Sequence, residues 1–89
     1  MTLTADEVDE QLPAAWDRKG DEIVRTYEFD DYLAGVEFVR DIAAIADEEF
    51  HHPEISVGFR SVEVRLTNHE AGGITEIDLE MAAQFDDEF

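Results

Sequence analysis

Cysteine is absent from this 89-residue chain, which excludes disulfides, thiolate metal sites and cysteine nucleophiles. Basic residues are nearly absent as well. Six Lys and Arg stand against 24 Asp and Glu, a formal net charge of −18, and Lys19 is the only lysine. A nucleic-acid ligand needs a basic face for its phosphates, and these residues supply none. No apolar run approaches the roughly 18 residues of a membrane span. The stretch Met1 to Glu10 carries acids where an export signal would carry basic residues and an apolar run. The expected setting is therefore the cytoplasm, with no membrane partner. No serine sits in an elbow motif, so a nucleophilic serine triad has no support.

What is present bounds the rest. A chain of this size is read as one domain, residues 1–89. It can bury only about 60–65% of its unfolded surface. Without disulfides, association is the common way to bury more, so a homodimer or homotetramer is expected. The acids run through the whole chain among patterned apolar residues, and 44% of residues are hydrophobic. That pattern does not suit an acidic disordered protein. It suits a fold adapted to a salt-rich cytoplasm, as in halophilic archaea, where salt screens the self-repulsion.

The elements follow from period and punctuation. Thr4-Ala5-Asp6-Glu7 is a capping box, and a short helix should run from it to Leu12-Pro13. A short strand near Trp16, a turn at Lys19-Gly20-Asp21 and an alternating strand Ile23 to Phe29 form a hairpin. Asp30 can cap the next helix. There Tyr32, Val36, Val39, Ala43, Ala46 and Phe50 recur at helical spacing, with Phe38, Ile42 and Ile45 widening the stripe. This helix must end before Pro53. Ile55, Val57 and Phe59, then Val62, Val64 and Leu66, alternate as a second hairpin. After Gly72-Gly73, Thr75 should cap a last helix with Ile77, Met81 and Phe85 inward. Asp86-Asp87-Glu88 is expected to be a solvated end. Two β-β-α units behind a short N-terminal helix predict an α+β, two-layer sandwich: a four-stranded antiparallel sheet with helices on one face.

The chain has three histidines. His51-His52 ends the long helix and His69 ends the last strand. A tight second hairpin would bring all three together. A histidine pair before a proline can also simply favour a helix C-terminus. Three imidazoles with Asp47 or Asp78 could hold zinc, but adjacent histidines point apart, and metal pairs prefer i,i+4 or i,i+2 spacing. Acid–base chemistry near neutral pH remains the better use of the cluster.

One spaced pattern is specific. Asp47, three residues, His51-His52-Pro53, five residues, Phe59, nine residues, His69, eight residues, Asp78: this resembles the signature of the pterin-4a-carbinolamine dehydratases. Leu3-Thr4-Ala5-Asp6-Glu7 with Leu12-Pro13, Trp16, Phe29-Asp30-Asp31-Tyr32, and Thr67 to Glu76 resemble further family stretches, so the likeness covers nearly the whole chain. It implies a hydro-lyase that dehydrates 4a-hydroxy-tetrahydropterin to quinonoid dihydropterin, without metal or organic cofactor. His51, His52 and His69 match the family's active-site histidines. Phe50 to His52 and Thr67, Asn68, His69 and Glu70 match its pterin-contacting stretches. Asp47, Asp78 and Trp16 are expected to support the site from behind. The implied partners are the pterin and, functionally, an aromatic amino acid hydroxylase. The family also has a second use as a dimerisation cofactor, so a non-catalytic protein-binding module is the alternative. The chain departs from the family at Phe50, usually polar, at Ile55, commonly aromatic, and at Phe59, frequently tyrosine.

Overall fold

The computed structural model describes residues 1–89. Its elements are α1 (Ala5–Gln11), β1 (Asp17–Lys19), β2 (Glu22–Glu28), α2 (Tyr32–Glu49), β3 (Glu54–Val57), β4 (Ser61–Leu66) and α3 (Glu76–Glu88). All four strands join one antiparallel sheet in the order β1-β2-β4-β3. This is the expected α+β architecture. Ile23 pairs with Leu66 and Glu28 with Ser61 down the central ladder, and Glu54 pairs with Arg65 at the edge.

Local chemistry explains the boundaries. Thr4 Oγ1 accepts from the Glu7 amide at 3.1 Å, and Glu7 Oε1 accepts from the Thr4 amide at 2.8 Å, a reciprocal cap at the start of α1. Gly20 takes the left-handed φ of 61° that turns β1 into β2. Asp31, not Asp30, caps α2 by accepting from the Ala34 amide at 2.8 Å. Gly35 lies where α2 meets the sheet. A Cβ there would come within 3.3 Å of Val62 Cγ2, so the missing side chain lets the helix seat closely.

The core is built from Ile23, Tyr27, Val62, Val64 and Leu66 on the sheet, Phe38, Ile42 and Ala46 on α2, and Met81, Ala82 and Phe85 on α3. The inward face of α2 therefore differs from the expected stripe. Gly35, Phe38, Ile42 and Ala46 are buried, and Val39 and Ile45 pack partly against them. Tyr32, Val36, Ala43 and Phe50 are exposed. The helix has apolar residues on two faces, and the one seated by Gly35 faces the sheet. On α3, Ile77 is also half-exposed, and Leu79 and Ala82 take the buried positions beside Met81 and Phe85. Phe59 lies in the turn between β3 and β4 rather than on a strand, with its ring exposed beside the Arg60 guanidinium.

The C-terminus is a solvated end only in part: Asp87 and Glu88 are exposed as expected, but Asp86 is tied into the fold. Asp86 accepts from Trp16 Nε1 at 3.1 Å, from Arg25 at 2.7 Å and from the Tyr27 hydroxyl at 2.6 Å. Arg25 stacks over the Tyr27 ring at 4.3 Å, and the Phe89 ring packs on Tyr27 and Phe29. Burial, then the hydrogen bond to Asp86, pushes the Tyr27 hydroxyl well above the usual tyrosine range.

Candidate active site

Two turns of chain place the histidines. At the end of α2, Phe50 adopts a left-handed conformation (φ 50°, ψ 45°). This reverses the chain so that the His51 amide donates back to the Ala46 carbonyl at 3.1 Å and the Phe50 amide to Asp47 at 3.2 Å. Pro53 then starts the run into β3. On the other side, β4 ends at Leu66, and Thr67 Oγ1 donates to the Asp21 carbonyl at 2.5 Å. Asn68 closes the following loop. Its carbonyl accepts from Gly72 and Gly73, its amide donates to Gly73, and its side-chain oxygen accepts from the Ala71 amide. His69 and Glu70 project from this fastened loop. Because β3 and β4 pair up to Glu54 and Arg65, the two histidine segments emerge side by side.

A cleft of about 380 Å³ lies between them. Phe50, His51, His52, Thr67, Asn68, His69 and Glu70 all line it, joined by Glu49 and Ile77. Every residue expected to contact a ligand thus borders one cavity. A larger hollow of about 490 Å³ shares Asn68 and Ile77 with it but contains no histidine. A neighbouring hollow of about 340 Å³ shares His52, Thr67 and His69 with the cleft, but only the cleft is lined by all three histidines, groups of the kind that proton transfer requires.

The adjacent histidines address different partners. His51 Nε2 lies 2.5 Å from Asp78 Oδ1, and His51 is largely covered while Asp78 is completely buried. Asp78 Oδ2 in turn accepts from the Thr75 amide at 2.8 Å and from Thr75 Oγ1 at 3.2 Å. One carboxylate therefore closes the cap of α3 and holds His51. The two duties do not compete, because each uses a different oxygen. His52 Nε2 lies 2.9 Å from Asp47 Oδ1, and both side chains are more than half exposed. An imidazole fixed by a buried carboxylate keeps one tautomer and one ring orientation, whereas the solvent-facing pair is free to move. No three His, Asp or Glu side chains converge closely enough to hold a metal ion.

Trp16 does not approach this cleft. It is buried in the core with its indole N–H on Asp86, so its support is structural rather than given to the histidines. Ile77 and Glu49 were missed from the sequence. The signal for Ile77 was its place next to Asp78 at the start of α3.

The profile of the family described as pterin 4 alpha carbinolamine dehydratase matches residues 1–88. The chain belongs to this family. Family relatives with provisional pterin-4-alpha-carbinolamine dehydratase names include one from Natronomonas pharaonis, 60% identical over 96% of this chain and 92% of the relative. Another, from Halobacterium salinarum, is 49% identical over 96% and 93%. Both come from halophilic archaea, in keeping with the acidic composition. Among solved structures, a transcriptional coactivator/pterin dehydratase from Brucella melitensis superposes with a TM-score of 0.92 at 29% identity, covering 99% of this chain and 98% of that one. A pterin dehydratase-like RuBisCO assembly factor of the alpha-carboxysome shares the pterin dehydratase fold at a TM-score of 0.67 and 24% identity, covering 82% and 84%.

Proposed function

We propose that this protein dehydrates a 4a-hydroxy-tetrahydropterin to the quinonoid dihydropterin. The observation that carries the reading is the convergence of His51, His52 and His69 on one cleft lined by the ligand-contacting residues expected from the family. In the reaction, the C4a–O bond breaks and the hydroxyl leaves as water after gaining a proton. N5 loses its proton, and its electron pair forms the C4a=N5 double bond. His52, exposed in the cleft, donates the proton to the departing hydroxyl. His51, held by Asp78, and His69 hold the pterin and share the proton leaving N5. No metal or organic cofactor is needed for this elimination.

On this reading the protein works in the cytoplasm, downstream of a pterin-dependent aromatic amino acid hydroxylase that forms the carbinolamine. It acts as a homodimer or homotetramer. The outward stripe of α2, with Tyr32, Leu33 and Val36 exposed, supports association, because a small domain gains by covering such surface. The same stripe supports a second reading, a protein-binding module. The Brucella melitensis relative, whose description pairs coactivator with dehydratase, favours keeping it in view.

A dehydratase assay in high salt tests the proposal. His52→Ala and His69→Ala should each lower kcat/KM by at least about tenfold with the fold kept. A His51/His52/His69 triple alanine variant should retain only the uncatalysed background. A triple variant that still works at the wild-type rate would remove the site and leave the binding module in its place.

A further inference from the structure

Phe50 contributes little to the fold that holds it. Its side chain is 87% exposed. Its backbone is left-handed, the conformation that favours glycine or asparagine at a helix end. Packing in the core therefore does not explain a large aromatic residue there. The ring does have a definite place: it stands edge-on to His52, with centroids 5.6 Å apart and planes at 81°, and it borders the histidine cleft. The one other apolar residue bordering that cleft is Ile77, on the first turn of α3, which is 47% exposed. The remaining seven lining residues are polar.

A fused bicyclic ring has a polar rim of nitrogens and oxygens and two flat apolar faces. The polar wall of the cleft suits the rim. Phe50 and Ile77 are what this cleft offers to a face. We infer that Phe50, assisted by Ile77, grips the flat face of the substrate's ring system, and that Phe50 sets how tightly the ring is held. This rests on the dehydratase reading and adds to it the part of the site that recognises the ring rather than reacts with it. It also suits the protein's charge. With a net charge of −18, the protein is suited to strong salt, and salt screens charged contacts while leaving ring stacking intact.

The test separates the grip from the chemistry. Binding of 7,8-dihydrobiopterin and dehydration kinetics are measured for wild type, Phe50→Gly and Phe50→Tyr, at low and at molar KCl. Glycine suits the left-handed position, so Phe50→Gly should melt no lower than wild type. It should weaken Kd and raise KM by about tenfold, with kcat within about twofold of wild type. Phe50→Tyr should restore both. Ile77→Ser should weaken binding in the same direction by about threefold. The loss in Phe50→Gly should persist in molar salt. If wild type is active and Phe50→Gly keeps its Kd and KM, the inference is wrong and the dehydratase reading stands. A fall in kcat at constant KM overturns it too, since residue 50 then acts only by placing His51. If wild type binds the pterin without dehydrating it, the catalytic reading fails while the Kd series still decides the grip. If wild type neither binds nor reacts, both fall.

Discussion

Helix α3 carries a hydrogen-bonded aspartate near each end, and the two have opposite surroundings. Asp78 lies three residues into the helix, where the free amides and the helix dipole favour an anion. It is completely buried, yet it spends only one oxygen on its own helix and leaves the other for His51. Asp86 lies near the C-terminal end, where the dipole disfavours an anion. It is held there by the guanidinium of Arg25, with Trp16 and Tyr27 as further donors. The first aspartate, from within the fold, holds a histidine that lines the solvent-facing cleft. The second ties together β2, the segment before β1 and the C-terminus, with no cleft beside it. Similar bonding of the same residue type thus serves a candidate site at one end of the helix and stability at the other.

The sharpest test of that contrast is Asp86→Ala. It strands Arg25 among aromatic rings and leaves the Trp16 and Tyr27 donors without an acceptor. Removing one partner of a mostly buried pair should cost about 2–4 kcal/mol, a fall in Tm of roughly 10–25 °C for a domain this size. The folded fraction should keep its kcat/KM. Loss of catalysis without loss of stability would reverse the assignment of the two ends.

Asp78→Asn should show the opposite profile. Asparagine can still accept from the Thr75 amide, so stability should fall by about 1 kcal/mol or less. Its neutral amide cannot support a charged His51, so kcat/KM should fall by about tenfold or more. An Asp78→Asn variant with wild-type kinetics would reduce Asp78 to a helix cap.

The Asp86 end should also respond to alkali. The folded-state pKa of Tyr27 is raised, so the stability it contributes is present below the ordinary tyrosine pKa of about 10 and is lost as pH climbs above that value. Wild type should therefore lose stability above about pH 10 more steeply than Tyr27→Phe, as read from melting temperatures across that range. Equal slopes would mean that other groups dominate alkaline unfolding. The smallest effect belongs to the exposed Arg18–Asp9 pair. Arg18→Ala should leave Tm and kinetics unchanged within error, because solvent and salt screen such a pair.

Much of the architecture was legible in the sequence where local chemistry decides it. Thr4 with Glu7, Gly20, the alternation Val62-Val64-Leu66 and the stop before Pro53 each act within a few residues. The spacing from Asp47 to Asp78 made the cleft legible too, because a tight hairpin leaves its two flanks side by side. The inward face of α2 was not legible from periodicity. Two apolar stripes share that helix, and the choice between them rests on Gly35, which a count of apolar side chains ignores. Asp86 was hidden among the acids of its own segment. The clue lay elsewhere: Arg25 alternates with Ile23 and Tyr27 on the buried face of β2, and a buried arginine requires an acid. The left-handed turn at Phe50 had no signal, since phenylalanine is not a residue that such a turn selects.

The divided carboxylate of Asp78 bears on how relatives should be compared. On the proposed function, a descendant that abandoned the chemistry would still need the start of its last helix closed, so its aspartate would stay. The imidazole opposite has no such second duty and would be free to drift. An aspartate at this position therefore says little about whether a relative is still an enzyme, and the histidine facing it says a great deal.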